Sequence, residues 1–266
     1  FRRVLFRSVA VLVARAAGHG LRVANRRRAW GRSLCGTVGM GLSFYVLTSD
    51  GILLGDVAAL RATAPLLIAV LAGVLLGERI PRSVLFALPL SFVGVMVLVE
   101  PRLETSTLLS GLTLAGALAS AFAMLFLRRL GPSESPEAVA AHFGVVSGAL
   151  LLVLAVTGGG FPDAVGWPLI LASGVTGGLG QLCMTRAYAE EKAAAVSAMG
   201  YSSVLATHGL AFVVLGEPIG PGQLLGAGLV VAGGLALVLG RARASREERA
   251  AVPSPAPRPT PRPTGS

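Results

Sequence analysis

Nine apolar runs, each close to the length of a bilayer crossing, follow one another through residues 4–240. A transmembrane helix needs roughly 20 mostly apolar residues. The runs lie at about 4–19, 33–48, 57–76, 83–99, 107–127, 138–158, 167–187, 194–215 and 222–240. The first is the weakest, because Arg7 and Arg15 interrupt it. The linkers between the others are short, at 49–56, 78–82, 100–106, 128–137, 158–165, 190–193 and 217–221. Helices joined so tightly pack as antiparallel neighbours. The expected fold is therefore all-α and integral to a membrane, with about nine transmembrane helices.

Composition decides against the soluble alternatives. The chain is 53% hydrophobic and only 14% charged, whereas soluble domains average about a quarter charged. Its 35 glycines suit the close approach of helices in lipid. A net charge of +10 could suggest a nucleic-acid partner. However, the basic residues, Lys192 and otherwise arginines, cluster between the apolar runs as cytoplasmic loops do. No nucleic acid is expected. Cys35 and Cys183 both lie inside apolar runs without CxxC spacing, so neither a disulfide nor a metal site is expected. Past Gly240 the chain turns rich in Arg, Pro and Ala, and 241–266 reads as a disordered cytoplasmic tail. At the other end, residues 1–8 look like adapter sequence and carry little weight.

Comparing the chain with itself at a shift of 139 residues exposes an internal repeat. Leu76-Gly77-Glu78 falls on Leu215-Gly216-Glu217, Ile80 on Ile219, Gly94 on Gly233 and Leu98 on Leu237. Upstream, Gly39 and Gly41 fall on Gly178 and Gly180. On this register the run at 107–127 would have its counterpart before Phe1. The repeat thus predicts ten helices in the full protein, as two units of five: 1–105 for the first, lacking one helix, and 106–240 for the second. An odd number of crossings per unit inserts the second unit from the opposite side, which is the inverted-repeat plan of many secondary transporters. Charge fits this plan. With the missing helix counted first and its N-terminus inside, the cytoplasmic segments receive Arg22, Arg26, Arg27, Arg28 and Arg32, then Arg79 and Arg82, Arg128 and Arg129, Arg186 and Lys192, and the tail arginines. The expected location is the inner (plasma) membrane, with the C-terminus cytoplasmic.

Several of these residues carry a resemblance. Ala62-Thr63-Ala64-Pro65 runs on to Leu76-Gly77-Glu78, with Gly94-Val95 on the next helix. The second copy runs from Ala206 to Leu215-Gly216-Glu217 and Gly233-Gly234. Over residues 9–240 the chain resembles the EamA family of the drug/metabolite transporter superfamily. The resemblance implies ten helices in two five-helix halves and a substrate cavity between them near mid-membrane. It also implies cargo among amino acids, nucleotide-related metabolites, vitamins or drugs, often moved outward. Lacking the first helix, which normally lines the cavity, the chain departs from the family there.

Arg61 is the most informative single position, because a charge at the bilayer centre costs about 2.5–3.5 kcal/mol on insertion scales and so turns to a cavity or a partner. It reads either as an anchor for a carboxylate or phosphate or as a snorkelling side chain near Asp56. Thr63 and Pro65 sit one turn deeper, where a proline frees a backbone carbonyl. Glu78 and Glu217 end matching helices and read as helix-end packing or as gates, Glu78 pairing with Arg79 or a facing loop. His208 reads as a hydrogen-bonded core residue or a proton sensor. Gln181 and Thr185 share a helix face, and with Tyr201, Ser202 and Ser203 they could bind a polar substrate or join helices. Tyr45 is a candidate stacking residue, while Trp30 and Trp167 read as interfacial anchors.

No nucleotide-binding or hydrolase motif occurs, so neither ATP-driven transport nor a cofactor is expected. His19, His142 and His208 are far apart in topology, which argues against a membrane-embedded enzyme. The reading is a secondary transporter of a small polar metabolite working by alternating access. The alternative is a non-transporting membrane protein or an inactive fragment. Expected partners are the lipid bilayer, a small-molecule substrate (anionic if Arg61 anchors it), a coupling proton or ion, and a second copy in a homodimer.

Overall fold

The computed structural model describes residues 23–50, 54–102, 106–131, 133–157, 166–216 and 220–251. The expected first span and Glu217 lie outside these residues. Within them the chain forms α1 (Arg26–Leu47), α2 (Leu54–Arg61), α3 (Ala64–Leu76), α4 (Arg82–Val99), α5 (Thr107–Leu130), α6 (Pro136–Thr157), α7 (Gly166–Glu190), α8 (Ala193–Met199), α9 (Ser202–Leu215) and α10 (Pro221–Ala251). The protein is an all-α membrane protein. Among the described residues five stretches are long and apolar enough to cross a bilayer: Gly55–Leu76, Arg82–Val99, Thr107–Leu130, Ala193–Val214 and Pro221–Gly240. The first and fourth are each broken in two, into α2 with α3 and α8 with α9.

Both breaks have local causes. Pro65 stands in the first turn of α3, and a proline supplies no N–H to the preceding turn. Gly200 and Tyr201 interrupt the second rod as a turn rather than a helix. Both broken rods then end alike. Gly77 (φ 64°) and Gly216 (φ 69°) take the left-handed conformation after the last helical residue, where a side chain would be strained. The Leu-Gly pairs at 76–77 and 215–216 are therefore helix stops.

Two boundaries differ from the sequence reading. Helix α1 begins at Arg26, well before the apolar run at 33, because arginine is a good helix former and Asn25 caps the first turn by accepting from the Arg28 N–H. Arg32 is consequently a helical, buried residue and not part of a loop. At the other end α10 continues to Ala251, past the expected boundary at 240. Hydropathy stops at Gly240, but Arg, Ala and Glu keep the helix going until Pro253 approaches.

Glycine brings the helices together. Helices α1 and α5 meet where a Cβ on Gly39 would come within 3.0 Å of the Gly116 carbonyl oxygen. Helices α4 and α10 pack still more extensively. A Cβ on Gly94 would come within 2.8 Å of the Gly226 carbonyl oxygen and the Val230 nitrogen, and one on Gly233 would meet the Ala87 carbonyl at 2.9 Å and collide with Ser91. Contact partners descend along α4 as they ascend along α10, so the two helices are antiparallel. These contacts also exchange under the 139-residue shift: Gly94 with Gly226 becomes Gly233 with Ala87, and Gly94 with Val230 becomes Gly233 with Ser91. The outer faces stay apolar, with Val74, Phe86 and Val213 all more than 70% exposed. Such a surface requires lipid as its solvent.

Candidate functional site

The two broken rods meet each other at their breaks. The Tyr201 hydroxyl, buried, donates to the Ala62 carbonyl at 2.8 Å. Ser197 Oγ donates to the Pro65 carbonyl at 3.3 Å. Farther along, the Ala193 N–H donates to Glu78 Oε2 at 3.0 Å. The partners run 201 to 62, 197 to 65 and 193 to 78, so these rods too are antiparallel. The first bond joins residues exactly one repeat length apart, 139 positions.

The remaining polar candidates spread outward from this junction. Thr63 Oγ1 donates to the Leu60 carbonyl at 2.7 Å, turned back on its own chain. Arg61, on the preceding turn, is exposed. Among the described residues no ion pair joins it to an acid, and no hydrogen bond joins it to Gln181 or Tyr201. Thr185 is buried and its hydroxyl donates to the Gln181 carbonyl at 2.7 Å, while Gln181 Nε2 donates to Thr185 Oγ1 at 3.4 Å. His208 Nδ1 lies 3.0 Å from the Val204 carbonyl, one turn back on α9. Ser203 and Thr207 on that helix are exposed. Tyr45, near the end of α1, is 59% exposed. Of these candidates Tyr201 is the one whose described hydrogen bond crosses between the rods, ending on the neighbour of Thr63, whereas Gln181, Thr185 and His208 bond within their own helices.

A second polar constellation ties the helix ends on one side. Arg128 Nε donates to Glu78 Oε1 at 2.7 Å, and Arg128 Nη1 donates to the Ala189 carbonyl at 3.0 Å. The Glu78 carboxylate also holds the first N–H of α8, whose preceding residue Lys192 offers no side-chain cap. Glu78 therefore pairs across 50 residues with Arg128, at the start of the linker expected at 128–137, rather than with its neighbour Arg79. The reason is geometric: the left-handed Gly77 turns the chain so that residue 78 reaches α5. Nearby, Arg186 donates from Nε and Nη2 to Glu137 Oε1. Glu134 accepts from the Ala24 and Asn25 N–H groups at 3.1 and 2.7 Å. Sequence patterns counted Arg128 and Arg186 as loop charges, because their acids lie about fifty residues away.

Comparison with known proteins fits this architecture. Residues 108–239 match the EamA-like transporter family. The chain is 26% identical over 251 residues to the pseudopaline exporter CntI of Pseudomonas aeruginosa (strain UCBPP-PA14), covering 94% of this chain and 85% of that protein. It is 26% identical over 193 residues to a riboflavin transporter of Vibrio cholerae serotype O1, covering 72% of this chain and 64% of that one. A solved crystal structure superposes with a TM-score of 0.78 at 18% identity, over 93% of this chain and 87% of the other; that likeness speaks for the fold alone. The chain is a multi-pass membrane transporter, and its residues 108–239 form a domain of the EamA-like transporter family.

Proposed function

We propose that the protein is a secondary carrier that moves a small polar metabolite across the inner membrane by alternating access, with two inverted five-helix units rocking about their shared junction. The observation that carries this reading is the hydrogen bond from Tyr201 to Ala62. It joins two antiparallel broken helices at equivalent positions of the repeat, and discontinuous helices that meet inside a bundle are where secondary transporters place their substrate sites. The exchange-related glycine contacts of α4 and α10 support the same twofold relation. In this reading the C-terminus is cytoplasmic, and the Glu78–Arg128 and Glu137–Arg186 pairs close the cytoplasmic end. Arg61 serves an anionic group of the substrate, His208 is a candidate for proton coupling, and an ion or substrate gradient supplies the driving force. The riboflavin and pseudopaline named for the relatives give a first panel of cargo. Reconstitution of the full chain in proteoliposomes, with uptake of labelled metabolites under an imposed proton gradient, tests the proposal. Gradient-dependent accumulation is expected, and its absence for every member of a broad panel would leave a non-transporting membrane protein.

A further inference from the structure

Arg32 sits on α1 and is 1% exposed. Its Cζ lies 4.2 Å from the centroid of the Phe143 ring on α6. Its Nη1 lies so close over Gly36 that any Cβ there would collide with it. Both Nε and Nη1 are buried without a hydrogen-bond partner. Burying a charge is costly unless it is paired, and a cation–π contact offsets only part of that cost. The stacking therefore does not balance the burial.

Among the described residues no acid pairs with Arg32. Glu78 is held by Arg128, Glu137 by Arg186 and Glu134 by two backbone N–H groups. The sequence contains no Asp or Glu before Asp50, so residues 1–22 cannot supply one either. Among the described residues, then, no carboxylate supplies the compensating charge.

The surroundings suit a small anion. Ser33 Oγ and His142 Nδ1 are 2.9 Å apart, and Trp30 meets the His142 ring edge-on at 5.5 Å between centroids. One turn before Arg32, an open depression of about 590 Å³ is lined by Arg26, Arg27, Arg28, Asn25, Ser133 and Glu134. Its arginines raise the local concentration of anions. We propose that Arg32 anchors the anionic oxygen group, carboxylate or phosphate, of a small water-borne ligand between α1 and α6, entering from this depression when the ends of the helices part. The proposal rests on the carrier reading in that the ligand is taken to be cargo.

Trp30 offers a readout beside the site. The full chain carrying Trp167→Phe retains one tryptophan and can be titrated in neutral detergent with citrate, with inorganic phosphate and, separately, with phosphatidylglycerol. A saturable change in Trp30 emission is expected with citrate or phosphate, weakened at least tenfold by Arg32→Gln and less by Arg32→Lys. Gly36→Ala, which displaces Nη1 but keeps the charge, should weaken it too, and this variant decides the matter should Arg32→Gln not fold. Arg79→Gln should leave it unchanged. No saturable response to either anion, an equal response in Arg32→Gln or Gly36→Ala, or a response to phosphatidylglycerol alone overturns the proposal. Because binding is read in micelles, its failure leaves the uptake assay untouched, and failed uptake with intact binding would strike the carrier reading alone.

Discussion

The Tyr201 hydroxyl is one of the few side chains that cross between the two broken helices. An intramolecular hydrogen bond contributes about 1 kcal/mol net, and stranding a buried acceptor adds to that. Tyr201→Phe is therefore expected to lower stability by about 1–2 kcal/mol and to slow transport, read as an apparent melting temperature in detergent and as an uptake rate in proteoliposomes. A variant as stable and as fast as the parent would remove the junction from the mechanism. Arg61 makes a contrasting case, since it is exposed and changes no core contact. Arg61→Ala should insert normally yet impair transport of an anionic substrate, with Arg61→Lys restoring it only in part, for want of a planar fork; unchanged transport in Arg61→Ala would return the residue to a snorkelling role. The sequence did mark Thr63, Pro65 and Tyr201 as polar features in apolar surroundings. What it concealed was the partner, because a bond between residues 62 and 201 leaves no local pattern. Arg32 was hidden for another reason: it closes a run of arginines that hydropathy can only count as a loop, while helix propensity and the Asn25 cap draw the run into α1.

At the scale of helices, a helix stands in every run from 33 onward, and five stretches among the described residues are long and apolar enough to cross a bilayer, because twenty apolar residues in lipid have almost no alternative to a helix. The breaks were not legible, since hydropathy is unaffected by a turn at 62–63 or 200–201. The stops at Gly77 and Gly216 were visible as repeated Leu-Gly pairs, and their left-handed conformation explains why glycine stands there. Packing assigned the other glycines different duties. On α10, a Cβ at Gly226 would come within 2.5 Å of the Leu98 nitrogen and 2.6 Å of the Gly94 carbonyl oxygen. At Gly228, two residues on, a Cβ would meet nothing within 4 Å. Gly226→Ala is thus expected to force α4 and α10 apart and to lower the apparent melting temperature. Gly228→Ala should hold or raise it, since alanine is favoured over glycine in a helix by about 1 kcal/mol. Equal behaviour of the two variants would show that the close approach of α4 and α10 does not govern stability.

For the whole molecule, the polar contacts are unevenly placed. The end formed by Glu78, Arg128, Glu137, Arg186, Glu134 and Asn25 is laced by charge-assisted bonds, whereas Tyr45, Ser203 and Thr207 are left exposed. In the orientation proposed from the clustering of arginines, this end faces the cytoplasm and the pairs latch it. In the proposed carrier cycle that latch opens in every turnover, so its strength has to lie within reach of substrate binding energy. A hydrogen bond to a charged group contributes about 1.5–3 kcal/mol, and each 1.4 kcal/mol is a factor of ten in an equilibrium. Glu78→Gln keeps an acceptor for the Ala193 N–H but removes the charge that Arg128 pairs with, and it should raise the population open to the cytoplasm by about tenfold. Ala194, 2% exposed beside this latch, provides the sensor. In inside-out vesicles, the rate at which an impermeant maleimide labels Ala194→Cys, with Cys35 and Cys183 replaced by serine, should rise by about the same factor when Glu78→Gln is added. Substrate trapped on the outer side should reverse that rise, because a ligand that prefers the outward state pulls the population back. A labelling rate indifferent to Glu78→Gln would mean that the Glu78–Arg128 pair fastens helix ends without gating them.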